Sequence, residues 1–197
     1  MAAQFTILCA RPNQSVFEHV VTIRRVAIRI SRGSAAGHEF LLVTQNVDDL
    51  HERAGVSPEK RVQIHGDIFV TRCSRCDFGF IERTEEQQEI PTCTKCAALM
   101  RPGVVWFGEQ LPWNEVQRVE NFLNRGACDL VIVAGTTATF GYIIDWALRA
   151  SRDGGELTEV NPEETPLSQF AIRLMREPAA IALPHLVDQF ISQTKLP

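Results

Sequence analysis

The chain has no excess of positive charge, no apolar run long enough to cross a bilayer and no basic leader, and each shortage excludes something. Lysine and arginine number 20 against 24 aspartates and glutamates, a net charge of -4. The basic stripe that usually marks phosphate-backbone binding is missing, so no nucleic acid is expected as a ligand. One local basic run, Arg24, Arg25, Arg29 and Arg32, reads as a solvated face. No segment approaches the length of a membrane span, and no membrane association is expected. The start, Met1-Ala2-Ala3-Gln4-Phe5, lacks a basic region, and the apolar stretch from Phe5 to Ala10 is broken by Arg11 and Pro12, which argues against a signal peptide. The expected compartment is the cytoplasm, where thiols stay reduced and closely spaced cysteines hold metal rather than form disulfides.

What is there belongs to a globular protein. With 197 residues, 45% hydrophobic and 22% charged, the chain suffices for one substantial domain, alone or with a small embedded module. From His38 onward short apolar runs alternate with amphipathic stretches, the pattern of strands feeding helices in a parallel sheet. Phe40 to Val43 reads as a buried strand. Asn114 to Arg125 reads as a helix with Val116, Val119, Phe122 and Leu123 on one face and Gly126 at its end. Leu130 to Ala134 suits a strand buried on both faces, followed by a helix near Tyr142 to Arg152 and a strand ending at Val160. This predicts an α/β fold: a Rossmann-like parallel sheet interrupted by an inserted, cysteine-bearing module over residues 73–100. The segment Val16 to Ile30 supports helix and strand equally and stays open.

Ligands in such sheets gather at the carboxyl ends of the strands. That singles out Thr44-Gln45-Asn46, Gly135-Thr136-Thr137 and Asn161-Pro162-Glu163, each directly after an apolar run, although each alone also fits ordinary turn chemistry. The strongest local signal is Cys73-x-x-Cys76, sixteen residues, then Cys93-x-x-Cys96. Two short turns can present four thiolates to one tetrahedral zinc, and four thiolates leave no position for water, so the ion is expected to be structural. Cys9 and Cys128 read as small buried residues rather than nucleophiles. His65, followed by Gly66, is the best candidate general base, because imidazole titrates near neutrality and the glycine lets a ligand approach the backbone. Taken alone, a histidine in a short apolar context is more often a hydrogen-bonded structural residue. Asp48 and Asp49 suit helix capping, with one free to meet a ligand, and His51 reads as a surface or helix-packing residue.

Taken together, Thr44-Gln45-Asn46-Val47-Asp48, Ile64-His65-Gly66, the two cysteine pairs, Val104-Val105-Trp106-Phe107-Gly108-Glu109, Gly135-Thr136-Thr137 and Val160-Asn161-Pro162-Glu163 resemble the sirtuin family in order and spacing. The resemblance runs from about His38 to Leu186, roughly three-quarters of the chain. It implies NAD-dependent removal of acetyl-type or succinyl-type groups from protein lysines, releasing nicotinamide and O-acyl-ADP-ribose. By similarity His65 is the catalytic base, and Gln45, Asn46 and Asp48 meet the nicotinamide ribose and carboxamide. Gly135, Thr136 and Thr137 approach the cofactor, Asn161, Pro162 and Glu163 lie along the adenosine, and Ala179 sits near the adenine. Val104, Val105, Trp106, Phe107, Gly108 and Glu109 pair with an acyl-lysine peptide, and Trp106 resembles the branch that includes desuccinylases. Cys73, Cys76, Cys93 and Cys96 hold one structural zinc.

The implied organisation is an atypical segment over residues 1–37, an NAD-binding domain over 38–72 and 101–190, the zinc module over 73–100 and a tail over 191–197. One departure stands out. The family's Gly-Ala-Gly-x-Ser phosphate loop and its Gly-Ile-Pro-x-Phe-Arg stretch are absent, and Gly33 to Gly37 precedes a strand rather than following one, which suits a linker. That absence predicts an exposed sheet edge and weakened cofactor binding. It also keeps open a catalytically impaired zinc-bearing binding module and, last in order, an ADP-ribosyl transferase. These motifs do not specify the acyl group, the target proteins or the oligomeric state.

Overall fold

The structure, a computed structural model, describes residues 6–11, 39–82 and 90–193. The basic run at Arg24 to Arg32, the open segment Val16 to Ile30 and the Gly33 to Gly37 stretch lie outside the described residues.

The larger of two sheets contains β1 (Thr6–Arg11), β2 (Glu39–Thr44), β3 (Arg61–Gln63), β7 (Leu130–Ala134), β8 (Glu156–Val160) and β9 (Arg173–Met175), in the order β3-β2-β1-β7-β8-β9. β2 is parallel to β3, and β7, β8 and β9 are mutually parallel. Both faces of β2 and β7 are covered, as their continuous apolar sequences predict. Leu41, Val43, Val131 and Val133 point into a core shared with Phe122 and Leu123 of α2 (Trp113–Asn124) and with Ile143 and Trp146 of α3 (Gly141–Ala150). Phe40, Leu42, Leu130 and Ile132 point the opposite way, toward Val56 and toward Ala182, Leu183 and Leu186 of α4 (Ala179–Gln193). Each such buried aliphatic side chain contributes about 1.5–3 kcal/mol, so alternation along two strands secures both helical layers. α2 ends with its cap at Arg125, and the following Gly126 adopts φ 146°, as the glycine there predicts. α1 (Leu50–Arg53) is a single turn after β2.

The expectation of an exposed sheet edge is overturned. β1 lies between β2 and β7 and is antiparallel to both, with Thr6 opposite Thr44 and Ala134. Its hydrogen bonds fill the centre of the sheet, so neither β2 nor β7 is left open. The sheet is therefore parallel apart from this strand. No helix among the described residues is long and apolar enough to cross a membrane.

The second sheet has the order β5-β4-β6, from β4 (Gly66–Cys73), β5 (Gly79–Ile81) and β6 (Met100–Val104), all antiparallel. β4 leaves the larger sheet directly after His65, and β6 returns beside it, with Gly66 opposite Val104. Here Gly66 has φ +83°, and a Cβ on it would lie 2.1 Å from the Gly103 carbonyl oxygen. The glycine beside His65 therefore admits the neighbouring strand, not the ligand that its sequence context suggests.

Candidate active site and metal centre

Three turns follow the carboxyl ends of β2, β7 and β8, and they are bonded to one another. Thr44 Oγ1 accepts from Asn46 N at 3.0 Å, Thr136 Oγ1 donates to Gln45 Oε1 at 3.5 Å, and Asn161 Nδ2 donates to the Thr136 carbonyl at 2.6 Å. Glu163 N closes the last turn onto Asn161 Oδ1 at 3.1 Å. Behind it stands Glu159, 1% exposed on β8, which accepts from Thr165 and Ser168 hydroxyls and from Arg176 Nη1 at 3.0 Å. Arg176 also donates to the Glu163 carbonyl at 2.9 Å, so an ion pair between a buried carboxylate and a surface arginine fixes the third turn.

These turns enclose a cavity of about 860 Å³ lined by Gln45, Asn46, Asp48, Gly135, Thr136, Thr137, Asn161, Pro162, Glu163 and Ala179, with Pro178 and Ala180 at the α4 end. The structure thus brings together every residue that the sequence marks for the cofactor. The size suits a ligand larger than a mononucleotide. Asp48 Oδ1 also accepts from Leu50 N at 3.1 Å, a local cap, while Asp49 pairs with Arg53 at 3.5 Å.

His65 stands on the turn between β3 and β4, half-buried. Its Nε2 lies 2.9 Å from the hydroxyl of Tyr142, and Gln45 Nε2 donates to that same hydroxyl at 2.6 Å. Burial lowers the His65 pKa from 6.5, opposed by a hydrogen bond to the Gln45 backbone, so the ring is held neutral at physiological pH. His65 does not itself line the cavity but reaches it through Tyr142 and Gln45, and a neutral imidazole can take a proton. Phe140 stands edge-on to the ring, with centroids 6.2 Å apart. Tyr142 and Phe140 escape sequence reasoning because nothing local ties them to a histidine more than seventy positions earlier; the signal available was their place at the start of the helix after the Gly135 turn.

The peptide-facing candidates divide. Val104 ends β6, and Val105 N donates to the His65 carbonyl at 2.9 Å. Beyond it the chain turns, with Gly108 at φ +85°, leaving Trp106 half exposed and Phe107 97% exposed. Glu109 closes this turn by accepting from Trp106 N at 3.0 Å and from Arg101 and Arg72. The Arg101 guanidinium also lies 3.8 Å from the centre of the Trp106 ring. Hydrogen bonding from Arg101 pulls the Glu109 carboxyl down to about 2, so the clamp is ionised at any physiological pH.

Cys73, Cys76, Cys93 and Cys96 place their sulfurs within 4.8 Å of one another. The Cys73–Cys96, Cys76–Cys93 and Cys76–Cys96 separations are 3.4, 3.6 and 3.7 Å. Four sulfurs at the zinc–thiolate bond length on a tetrahedron stand about 3.8 Å apart, so the quartet fits zinc, with a closed shell and a structural role. Backbone N–H groups of Arg75 and Cys76 point at the Cys73 sulfur and pull its thiol down to about 6, whereas Cys76, against a backbone hydrogen bond, is pushed up to about 12 by burial and the neighbouring sulfurs, so one thiolate is favoured and metal binding must displace the other protons. Cys128 is buried, as expected, but it is disulfide-bonded rather than a reduced thiol. His51 is also buried, not a surface residue, and neither of its ring nitrogens has a hydrogen-bond partner.

The direction of β1 matters for the phosphates. A phosphate loop follows a strand at its carboxyl end and opens a helix there. The carboxyl end of β1, Arg11, lies opposite Glu39, at the end of the sheet away from the cavity. The carboxyl end of β1 thus stands at the opposite end of the sheet from Gln45 and Gly135.

Comparison with known proteins agrees with this geometry. The Sir2 family model matches residues 14–140, a stretch that takes in residues 14–37, set apart as atypical by sequence reading. The NAD-dependent protein deacylase 1 of Archaeoglobus fulgidus is 42% identical over 147 residues, which are 74% of this chain and 58% of that protein. An NAD-dependent protein deacylase of Aquifex aeolicus is 41% identical over 150 residues, 76% of this chain and 61% of that protein. A solved complex of a Sir2 homologue with NAD superposes with a TM-score of 0.76 at 36% identity, covering 86% of this chain and 65% of that one. A Sir2 protein bound to a propionylated peptide gives 0.71 at 27% identity, over 84% and 70%. The chain spans about three-fifths of the length of these curated relatives. With its family match covering more than half of the sequence and its strands, cavity and cysteine quartet arranged as described, the chain belongs to the Sir2 family.

Proposed function

We propose that this protein removes acyl groups from protein lysines in an NAD-dependent reaction, giving free lysine, nicotinamide and O-acyl-ADP-ribose. The observation that carries this reading is the cavity lined by Gln45, Asn46, Asp48, Gly135 and Asn161, whose Gln45 side chain is tied through the Tyr142 hydroxyl to a neutral His65. Relatives of whose length this chain spans about three-fifths are named as NAD-dependent protein deacylases, and solved relatives hold NAD, ADP-ribose or a propionylated peptide. NAD, when bound, supplies a nicotinamide leaving group and the ribose that takes the acyl group.

The chain's own residues then have distinct tasks. Gln45, Asn46 and Asp48 orient the nicotinamide half, Gly135, Thr136 and Thr137 the centre, and Asn161, Pro162, Glu163 and Ala179 the adenosine half. His65 takes the proton of a ribose hydroxyl at its imidazole nitrogen. Val104 to Glu109 receives an extended acyl-lysine peptide along its backbone, a mode that gives affinity with little sequence selectivity. Trp106 and Phe107 offer it an apolar wall. Residues 38–72 and 101–190 act as the NAD-binding domain and residues 73–100 as the zinc module. A cytoplasmic location is part of the proposal: the four free cysteines of the quartet support it, and the disulfide at Cys128 is the observation that stands against it.

Nothing in the comparisons favours a non-catalytic binding module, and the same test disposes of it. Purified protein is mixed with NAD, with and without acetyl-lysine and succinyl-lysine peptides, and nicotinamide release is measured. Release is expected only with an acylated peptide and is expected to fall at least ~100-fold in His65→Ala. No release from folded, zinc-loaded protein would overturn the reading. Adenine-half radiolabel carried covalently to a partner protein would replace it with ADP-ribose transfer.

A further inference from the structure

Tyr142 is the only tyrosine in the chain. Its ring is stacked on Phe140 at 5.9 Å and 16° and tilted against Trp146 at 5.0 Å, so packing on both sides fixes where its hydroxyl lies. That hydroxyl meets two groups from different turns: Gln45 Nε2 at 2.6 Å, following β2, and His65 Nε2 at 2.9 Å, following β3. The side-chain oxygen of Gln45 is itself engaged by the Thr136 hydroxyl, which leaves the amide nitrogen to face Tyr142. Since Gln45 donates to the phenolic oxygen, the phenolic proton is free to go to His65 Nε2. The imidazole's other polar contact is the Gln45 main chain.

We propose that Tyr142 is the positioning residue for His65: donating from a hydroxyl held by Gln45, it keeps the imidazole neutral, with the lone pair on Nε2. This rests on the reading of His65 as the base. The consequence for the ring follows from counting donors. With neutral His65, the tyrosine hydroxyl both accepts and donates, and all three groups are satisfied. With protonated His65, Nε2 becomes a donor, the phenolic oxygen faces two donors, and its own proton loses its acceptor. The network therefore favours the basic form, and a ribose hydroxyl that gives its proton to Nε2 must take the place of the phenolic donor there. Gln45 also lines the ligand cavity, so the group that orients the base through Tyr142 is one that a bound ligand touches. The groups facing the ring are Tyr142 and Phe140 at the start of α3 and Gln45 after β2, and no charged side chain contributes to its shift.

The test is histidine-selective NMR titration of His65 in the full chain, wild type against Tyr142→Phe and Gln45→Leu, together with the pH profile of kcat/KM for acyl-peptide-dependent nicotinamide release. Tyr142→Phe keeps the aromatic stack and removes only the hydroxyl. The His65 midpoint is expected to rise by about 0.5–1 pH unit in Tyr142→Phe and to rise also in Gln45→Leu, with the acid limb of kcat/KM moving by the same amount. A purely structural tyrosine would move neither. An unmoved midpoint in both folded variants overturns the proposal even if turnover falls. Absence of turnover in wild type would sink the deacylase reading alone, because the titration still decides the role of Tyr142.

Discussion

His51 shows what a single buried titratable residue does to the stability of this fold. It is 5% exposed, its ring nitrogens have no partners, and burial pushes its pKa below 6.5 against a weaker raising pull from Asp48. As pH falls through 6.5 the unfolded chain gains a proton there that the folded chain does not, so stability is full above that value and declines below it. His65, also depressed, acts in the same direction. The thermal midpoint is expected to fall between pH 7.5 and 5.5, and His51→Gln should flatten that slope; a midpoint independent of pH over this range would contradict a buried neutral imidazole. At Gly66 the determinant is steric. Because a Cβ would lie 2.1 Å from the Gly103 carbonyl, Gly66→Ala must push β6 away from β4. Unfolding by urea should show a loss of more than ~2 kcal/mol and His65 should lose its alignment, whereas a wild-type denaturation curve would show that β6 yields freely.

At the scale of elements, α2 and α3 are tied where both meet the sheet. Trp146 Nε1 donates to Glu120 Oε1 at 2.9 Å, and Arg149 Nη2 to Glu120 Oε2 at 2.6 Å. Trp146 is buried among apolar side chains and braces Tyr142, so Trp146→Ala should destabilise by about 3–5 kcal/mol in urea unfolding. Helices and strands of this layer were legible in the sequence because apolar spacing records which faces are covered: Leu130 to Ala134 and Val116 to Leu123 are examples. The three cavity turns were legible because polar residues stand directly after apolar runs. β1 was not. The stretch from Phe5 to Ala10 shows its hydrophobicity, but strand direction depends on long-range register, and hydrophobic pattern is the same read either way. Tyr142 was hidden for a similar reason, since its partners are 77 and 97 positions away in sequence.

At the scale of the molecule, the small lobe depends on metal. Among the described residues its buried apolar cluster consists of little more than Met100 and the cysteines, with Phe78 and Ala98 packed against them. So small a core cannot hold three strands alone, and zinc binding supplies the folding energy. Metal analysis should give one zinc per chain. Cys96→Ser or prolonged chelation should release it and open residues 73–100 to protease while the larger sheet stays resistant. A metal-free protein with unchanged protection would refute this dependence. Because β4 begins beside His65 and Val105 pairs with the His65 carbonyl, loss of zinc should also lower turnover.

The reversed central strand has a last consequence, for register. Thr6 stands opposite Thr44 on one side and Ala134 on the other, so a one-residue slip of β1 would break its pairing with both neighbours at once. The strand therefore locks the β3-β2 half of the sheet to the β7-β8-β9 half and keeps the turns that follow β2 and β7 level with each other.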